Sequence, residues 1–222
     1  MGTLELASAV RANFSAGEQA LRDEAFELSQ LGSIAERQEH LAGLFTGYRA
    51  RLRRMVDLRF DRRLRSLADP SDVLQEAFLQ ASRRLESYLK DPKLPLYLWV
   101  RFLAGQELLK LRRRHVGPPG RHAQLSLDRG CVPSASSQDI SETLISKEST
   151  PSDLAVREEQ RRLIQDALDG LESTDREVLV LKHFEQLSTV EVATLLGISQ
   201  PAVRQRHARA ASRFRKALKK KG

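Results

Sequence analysis

The feature that most constrains this chain is a pair of helical patterns near its C-terminal end, separated by a single glycine. Ser188 and Glu191 match a capping box, in which a serine and a glutamate three residues later cap the start of a helix. Gly197 then permits the positive φ that a tight turn needs. Ser199 and Pro201 are typical of the cap and first turn of a second helix. The segment therefore predicts a helix, a tight turn and a second helix, the arrangement called helix-turn-helix.

The second helix of this pair carries amide and guanidinium side chains on the face that should point outward. Such groups can form two hydrogen bonds with a base edge in the major groove of DNA, and they also reach phosphates. The side chains predicted to do so are Gln200, Arg204, Gln205, Arg206 and Arg209. The cations that follow them favour phosphate contact: Arg213, Arg215, Lys216, Lys219, Lys220 and Lys221. The alternative is a structural helix pair with a solvated basic face, and we expect His207 to be a half-buried packing residue.

Charge and composition indicate what kind of partner the chain has. Its formal charge is +8 over 222 residues, which favours an anionic partner such as nucleic acid or an anionic membrane surface. No apolar run approaches the roughly 20 residues needed to span a bilayer, and the N-terminus lacks the pattern of a secretion signal. Cys131 is the only cysteine, which fits a reducing compartment. We therefore predict a cytoplasmic protein with no membrane insertion.

Leucine and alanine dominate and β-branched residues are sparse, which favours an all-α fold. We predict two small helical domains joined by a flexible linker, the second domain carrying the helix-turn-helix. The predicted boundaries are 1–40 for an N-terminal helical extension, 41–115 for the first domain, 116–153 for the linker and 154–222 for the second domain. The linker is predicted because that segment is rich in glycine, proline and serine and has no clear apolar period.

A second motif lies at the start of a predicted helix in the first domain. It resembles the second conserved region of bacterial sigma factors, above all those of the extracytoplasmic-function (ECF) type, through Asp69, Asp72, Val73, Leu74, Gln75, Glu76 and Phe78. Residues 96–114 are similar to the helix that follows in that family, with its tryptophan and terminal arginine cluster. The helix-turn-helix is similar to the family's fourth region. The resemblance covers about residues 40–115 and 155–218, in the family's order.

The resemblance implies a protein that binds core RNA polymerase, directs it to promoter DNA and opens the duplex. The residues it implies for contact with polymerase, at the clamp helices of β′, are Asp69, Asp72, Gln75 and Glu76. Those implied for the −10 element are Ser87, Tyr88, Lys90, Lys93, Arg112, Arg113 and Arg114. Those implied for the −35 element are Gln200, Arg204, Gln205, Arg206 and Arg209. The β flap of polymerase would be a further contact, and an anti-sigma factor is a plausible partner.

Two other classes of function compete with this one. A helix-turn-helix regulator that never joins polymerase would use the second domain alone, but the helix that begins at Asp69 then has no explanation. An enzyme has little support, because five scattered histidines, one cysteine and no glycine-rich phosphate loop offer no recognisable catalytic set. No metal-ligand spacing of the zinc type occurs in the sequence. We therefore expect a non-enzymatic protein without a metal or cofactor.

Overall fold

The computed structural model describes residues 24–60, 62–115, 135, 137–144 and 154–221. Within these ranges the regular structure is entirely helical, which confirms the predicted all-α fold. Residues 24–30 are helical. The helices that follow are α1 (Ile34–Arg59), α2 (Pro70–Lys90), α3 (Leu96–His115), α4 (Ser137–Leu144), α5 (Leu154–Asp169), α6 (Ser173–Leu179), α7 (Thr189–Leu196) and α8 (Gln200–Lys221). A short 3₁₀ helix lies at Arg62–Leu64, and a π-helix at Val180–Phe184 continues α6.

Local capping explains where the first two long helices begin. Ser33 Oγ accepts a hydrogen bond from the Glu36 amide at 3.1 Å, and the Glu36 carboxylate accepts one from the Ser33 amide at 3.0 Å. Asp69 caps α2 in the same reciprocal way with Asp72, and Pro70 occupies the first turn, where no hydrogen-bond donor is lost. The predicted cap and first turn of α2 are thus confirmed.

The core of the first half forms where α1, α2 and α3 pack together. Apolar side chains that recur along one face of α1 are buried, namely Leu41, Phe45, Tyr48, Leu52, Met55 and Val56. They meet Val73, Ala77 and Leu85 of α2, and the rings of Phe45 and Phe78 pack edge to face with centroids 5.1 Å apart. The face predicted from the sequence is therefore the buried face.

The N-terminal part of the chain joins this core instead of extending from it. Leu28 is fully buried in the same cluster, and Tyr48 of α1 donates a hydrogen bond to Glu24. Helix α1 also runs continuously through the predicted boundary at residue 40. The described end of the predicted extension is thus part of the first half, while residues 1–23 lie outside the described ranges.

The second half is built from α4 to α8 around a core that includes Ile140, Leu168, Leu171, Val180 and Ala210. Helix α4 lies inside the segment predicted as a linker without helical structure. It is helical because Ile140 is fully buried in this core, where tertiary packing outweighs weak local propensity. The rest of the predicted linker falls outside the described residues, and the domain boundaries stay predictions.

The two halves pack directly against each other. A continuous apolar cluster joins side chains of α1, α2 and α3 to Leu181, Leu187, Val192 and Val203 of the second half. The sequence did not indicate how the halves are arranged. In the structure they share buried surface, and charged side chains cross the boundary between them.

Candidate nucleic-acid and partner interfaces

The helix-turn-helix has the geometry that its sequence predicts. Ser188 Oγ accepts from the Glu191 amide at 3.1 Å, and the Ser188 amide donates to the Glu191 carboxylate at 2.7 Å, so the capping box is complete. Gly197 has φ 63° and ψ 35°, the left-handed conformation in which a side chain would be strained. Ser199 Oγ accepts from the Ala202 amide at 3.3 Å, and Val203 is buried between the two helices. These contacts fix the angle at which α8 leaves the turn.

The N-terminal end of α8 presents polar side chains to solvent. Arg204 and Gln205 are exposed, and Gln200 is half-buried at the first turn. The described cations further along the helix are exposed as well, namely Arg213, Arg215, Lys216 and Lys219. The side chains of Lys220 and Lys221 lie outside what the structure describes. The exposed end of α8 can therefore supply both base-directed and phosphate-directed groups.

Two of the five predicted reading residues instead pair with a carboxylate of the protein, although Arg206 is 30% and Arg209 41% exposed. Arg209 forms a two-point pair with Asp175, with Nε–Oδ2 and Nη2–Oδ1 distances of 2.8 and 2.7 Å. Arg206 Nη1 lies 3.3 Å from Asp175 Oδ1. The Asp175 side chain is fully buried, and its hydrogen bonds with Arg209 hold the pKa of that carboxyl below its usual range. Arg206 and Arg209 thus tie α8 to α6, a role that no local pattern indicated.

His207 packs on the same side of α8 as these arginines. Its ring stacks on His183 with centroids 5.0 Å apart, and the two Nε2 atoms lie 2.8 Å from each other. Partial burial lowers the pKa of His207, and the neighbouring His183 and Lys182 lower it further. The half-buried packing position agrees with the prediction from the sequence.

The loop between α2 and α3 is organised by Tyr88, one of the residues that the resemblance implies for the −10 element. The Tyr88 hydroxyl donates to the Leu94 carbonyl oxygen at 2.8 Å, and its ring stacks on Trp99 with centroids 4.2 Å apart. Burial raises the pKa of Tyr88 above its usual range, so the hydroxyl stays protonated and keeps this hydrogen bond. Tyr88 therefore supports the loop from inside, and this side chain is not available on the surface.

The other side chains predicted for the −10 element fall into two separate groups. Ser87, Lys90 and Lys93 are exposed around the loop, with Lys93 Nζ 3.6 Å from Asp91. Arg113 and Arg114 are exposed at the far end of α3, and Arg112 is half-buried. Because a helix rises 1.5 Å per residue, the start of α3 and its arginine cluster are about 24 Å apart. The structure does not bring these residues together at one point.

The four side chains predicted to contact polymerase lie on the first two turns of α2. Asp69 caps the helix and accepts from the Ser71 amide at 2.6 Å, which holds the pKa of Asp69 below its usual range. Asp72 completes the capping box, and Glu76 accepts from Gln80 at 3.1 Å. Gln75 is exposed. Leu79 lies one turn after Gln75 and is 44% exposed, so it adds an apolar group that the sequence did not indicate for this surface.

Sequence reasoning also missed a cluster of ion pairs between the two halves. Glu185 follows the π-helix and is fully buried between Arg59 of α1 and Arg101 of α3. Its partners are 126 and 84 positions away in the sequence, so no local spacing could have indicated the pairing.

Among the described residues, no helix is both long and apolar enough to cross a membrane.

The geometry defines a helical protein that carries a helix-turn-helix, and comparison with known proteins indicates its family. Residues 161–214 match the family described as Sigma-70, region 4. The "Probable RNA polymerase sigma factor RfaY" of Xanthomonas campestris pv. campestris is 32% identical over 156 residues, which cover 69% of this chain and 35% of that protein. The "RNA polymerase sigma-E factor" of Streptomyces coelicolor is 39% identical over 71 residues, 32% of this chain and 40% of that protein.

A solved structure, titled "Structure of CnrH in complex with the cytosolic domain of CnrY", is 20% identical to the chain. It aligns with a TM-score of 0.49 over 91% of this chain and 99% of that one. The chain spans between a third and two fifths of the length of the curated relatives above. The family match and these relatives support an RNA polymerase sigma factor of the ECF type.

Proposed function

We propose that the chain binds core RNA polymerase, directs it to promoters and takes part in opening the DNA. The observation that carries this proposal is the capped helix-turn-helix, with exposed Arg204 and Gln205, inside the segment that matches sigma-70 region 4. The sigma factor family is not an enzyme family, and we propose a purely binding role in the cytoplasm. An anti-sigma factor is part of this proposal as a regulatory partner.

Recognition of the −35 element is assigned to the first turns of α8. Gln200, Arg204 and Gln205 would approach base edges, because they are the predicted reading residues that Asp175 does not hold. Arg206 and Arg209 would act by fixing the orientation of α8 against α6. The exposed cations from Arg213 onward would contact phosphates and add affinity without sequence preference.

Contact with the −10 element is assigned to both ends of α3. Ser87, Lys90 and Lys93 would lie at the opened bases, on a loop that the stacked rings of Tyr88 and Trp99 support. The arginine cluster at 112–114 lies about 24 Å from the start of α3. It would therefore contact phosphates about seven nucleotides further along the strand than the opened bases. Unstacking a base costs a few kcal/mol, which contacts of this kind can offset.

Binding to polymerase is assigned to the exposed surface of α2. Gln75, Glu76 and Leu79 would contact the β′ clamp helices, with Asp69 and Asp72 holding the start of the helix in place. A surface with both an apolar group and polar groups around it is typical of protein interfaces. The second half would contact the β flap.

The test is selection of promoter DNA from a random library by core polymerase reconstituted with the full chain. We expect a bipartite consensus, with polymerase retained on the selected DNA. A Gln75→Ala/Leu79→Ala variant should bind core polymerase more weakly and keep its folding stability, whereas Arg83→Ala, on another exposed turn of α2, should bind normally. A footprint formed by the chain alone, unchanged by core polymerase, would instead favour a regulator that does not join polymerase.

A further inference from the structure

Two histidines that the proposed function does not use lie side by side on neighbouring elements of the second half. His183 belongs to the π-helix Val180–Phe184, and His207 belongs to the middle of α8. Their Nε2 atoms are 2.8 Å apart, whereas the ring centroids are 5.0 Å apart and the ring planes differ by 27°. Because the two nitrogens are much closer than the ring centres, each nearly parallel ring directs its Nε2 atom at the other.

A contact of this kind requires a proton or another cation between the two nitrogens. A neutral imidazole has one N–H donor and one nitrogen lone pair that accepts. The 2.8 Å contact is therefore a hydrogen bond in which one Nε2 atom donates to the other. Two imidazole nitrogens that face a common point are also ligands that suit zinc, nickel and copper ions. A metal ion can thus replace the shared proton.

The backbone holds both histidines in place. The Glu185 amide donates to the Val180 carbonyl oxygen, five residues earlier, at 3.1 Å, which closes a turn of the π type. Such turns are rare and often occur at functional sites. On α8, His207 lies two residues before Arg209, whose pair with Asp175 fixes this part of the helix against α6. Both side chains therefore project from helices, which position a site more accurately than loops do.

The pair of rings is open to an ion from solution. His183 is exposed and His207 is half-buried. Lys182, the cation next to His183 in the sequence, donates to the Leu187 carbonyl oxygen at 3.0 Å, so its ammonium group is held elsewhere. In the part of the chain that the structure describes, no third histidine, cysteine, aspartate or glutamate completes a set of ligands. Water would fill the remaining coordination positions, as it does in open zinc sites.

We propose that His183 and His207 form a binding site for a divalent transition-metal ion of the zinc, nickel and copper class. Bonds of about 2.0–2.1 Å to a tetrahedral ion place the two nitrogens about 3.3 Å apart, about 0.5 Å more than in the free pair. Rotation of the exposed His183 side chain can supply this movement. The ring that donates in the free pair then carries its proton on Nδ1. The bound ion links the π-helix to α8, the second helix of the helix-turn-helix.

The test is calorimetric titration of the full chain with Zn²⁺, in a Cys131→Ser background that removes the only thiol. We expect Zn²⁺ to bind and to raise the thermal unfolding midpoint, because a ligand of the folded state stabilises it. His183→Ala and His207→Ala should each weaken binding by more than about 10-fold, since removal of a residue that only supports a ligand already costs about that much. His40→Ala, which removes an exposed histidine of α1, is the matched control and should bind normally. Mg²⁺, which prefers oxygen ligands, should have no effect on the midpoint.

A further variant and a direct measurement separate loss of the ion from loss of structure. His183→Gln keeps an amide that can hydrogen-bond to His207 but has no imidazole, so we expect unchanged stability without Zn²⁺ and weaker Zn²⁺ binding. Nitrogen NMR of the unmodified chain should show that Zn²⁺ shifts the Nε2 resonances of both histidines. Equal Zn²⁺ affinity in His183→Gln, or no Zn²⁺ binding by the unmodified chain, would overturn the site. Neither measurement involves polymerase or DNA, so its outcome is independent of the proposed function.

Discussion

Two parts of α8, its exposed start and its anchored middle, carry the same kind of side chain with different partners. Arg204 is exposed, whereas Arg209, five residues later, forms a two-point pair with the buried Asp175. The difference arises outside α8, because a carboxylate on α6 faces only the second position. The arginines of α8 are thus divided by their protein neighbours into side chains that stay free for the proposed contact with DNA and side chains that are paired with Asp175.

The first half shows the same division. Arg113 and Arg114 are exposed at the end of α3, while Arg101 on the same helix is buried against Glu185. A guanidinium group that is paired and desolvated is costly to release, so it contributes to the arrangement of the helices. The total of 37 lysines and arginines therefore overstates the number of cations that are free to contact an anionic partner.

The largest effect is expected when the Asp175 carboxylate, which pairs with the anchored arginines of α8, is removed. Asp175→Ala deletes the acceptor for Arg206 and Arg209, and we expect it to lower the free energy of unfolding by about 2–3 kcal/mol, since hydrogen bonds to charged groups are among the strong ones. Urea unfolding followed by helical circular dichroism measures this change. The matched control is Glu172→Ala, an exposed carboxylate near the same arginines, which should cost less than about 0.5 kcal/mol. Equal losses in the two variants would contradict the anchoring role.

The second test replaces an exposed arginine and a paired arginine of α8 by alanine, one at a time. Arg204→Ala should weaken binding of the reconstituted holoenzyme to promoter DNA by about 1–3 kcal/mol and relax sequence preference at one position, with little effect on folding. Arg209→Ala should instead lower the free energy of unfolding and leave the sequence preference unchanged. Fluorescence anisotropy with labelled promoter and single-base variants measures the binding, and urea unfolding measures the stability. Loss of base preference in Arg209→Ala at unchanged stability would show that Arg209 reads DNA directly.

The sequence predicted best those features whose interacting groups lie within a few residues of each other. The capping box of Ser188 and Glu191, the left-handed Gly197 and the Asp69-Pro70 start of α2 all depend on local hydrogen bonds or on the backbone preference of one residue. The buried face of α1 was equally predictable, because it follows from helical periodicity alone. Local chemistry was therefore enough to place the helix-turn-helix.

The contacts that decide which side chains stay free were not predictable in this way. Asp175 and Arg209 are separated by 34 positions, and Glu185 and Arg101 by 84. Tyr88 is a further case, because its ring stacks on Trp99 and is therefore withdrawn from the surface. Each of these depends on how distant helices pack, which a hydrophobic pattern constrains only loosely. The sequence thus indicated which helices carry the candidate side chains, whereas the packing of distant helices decides which of those side chains stay exposed.

Acid should reduce the contribution that Asp175 and its arginine partners on α8 make to the free energy of unfolding. The pKa of Asp175 lies below its ordinary value in the folded chain because of its hydrogen bonds with Arg209. Its contribution is therefore fully present above the pKa of the unfolded state, near 4, and is lost as the pH falls through the lower pKa of the folded state. We expect unfolding free energies measured between pH 6 and pH 3 to fall less steeply in Asp175→Asn than in the unmodified chain. Parallel pH profiles would mean that this pair is not linked to folding.

The smallest expected effect concerns the exposed cations toward the end of α8. Arg213→Ala removes one side chain that the structure leaves facing solvent, and the proposed role is contact with a phosphate. Each such contact releases counterions, so the slope of log K against log salt should become less negative by about 0.9, with similar weakening on every DNA sequence. Titrations of the holoenzyme with promoter and unrelated DNA at several salt concentrations measure the slope. Because Arg206 is already paired with Asp175, Arg206→Ala should change the slope less than Arg213→Ala does. The reverse order would mean that the pair with Asp175 breaks when DNA binds, and that the anchored middle of α8 joins the reading surface.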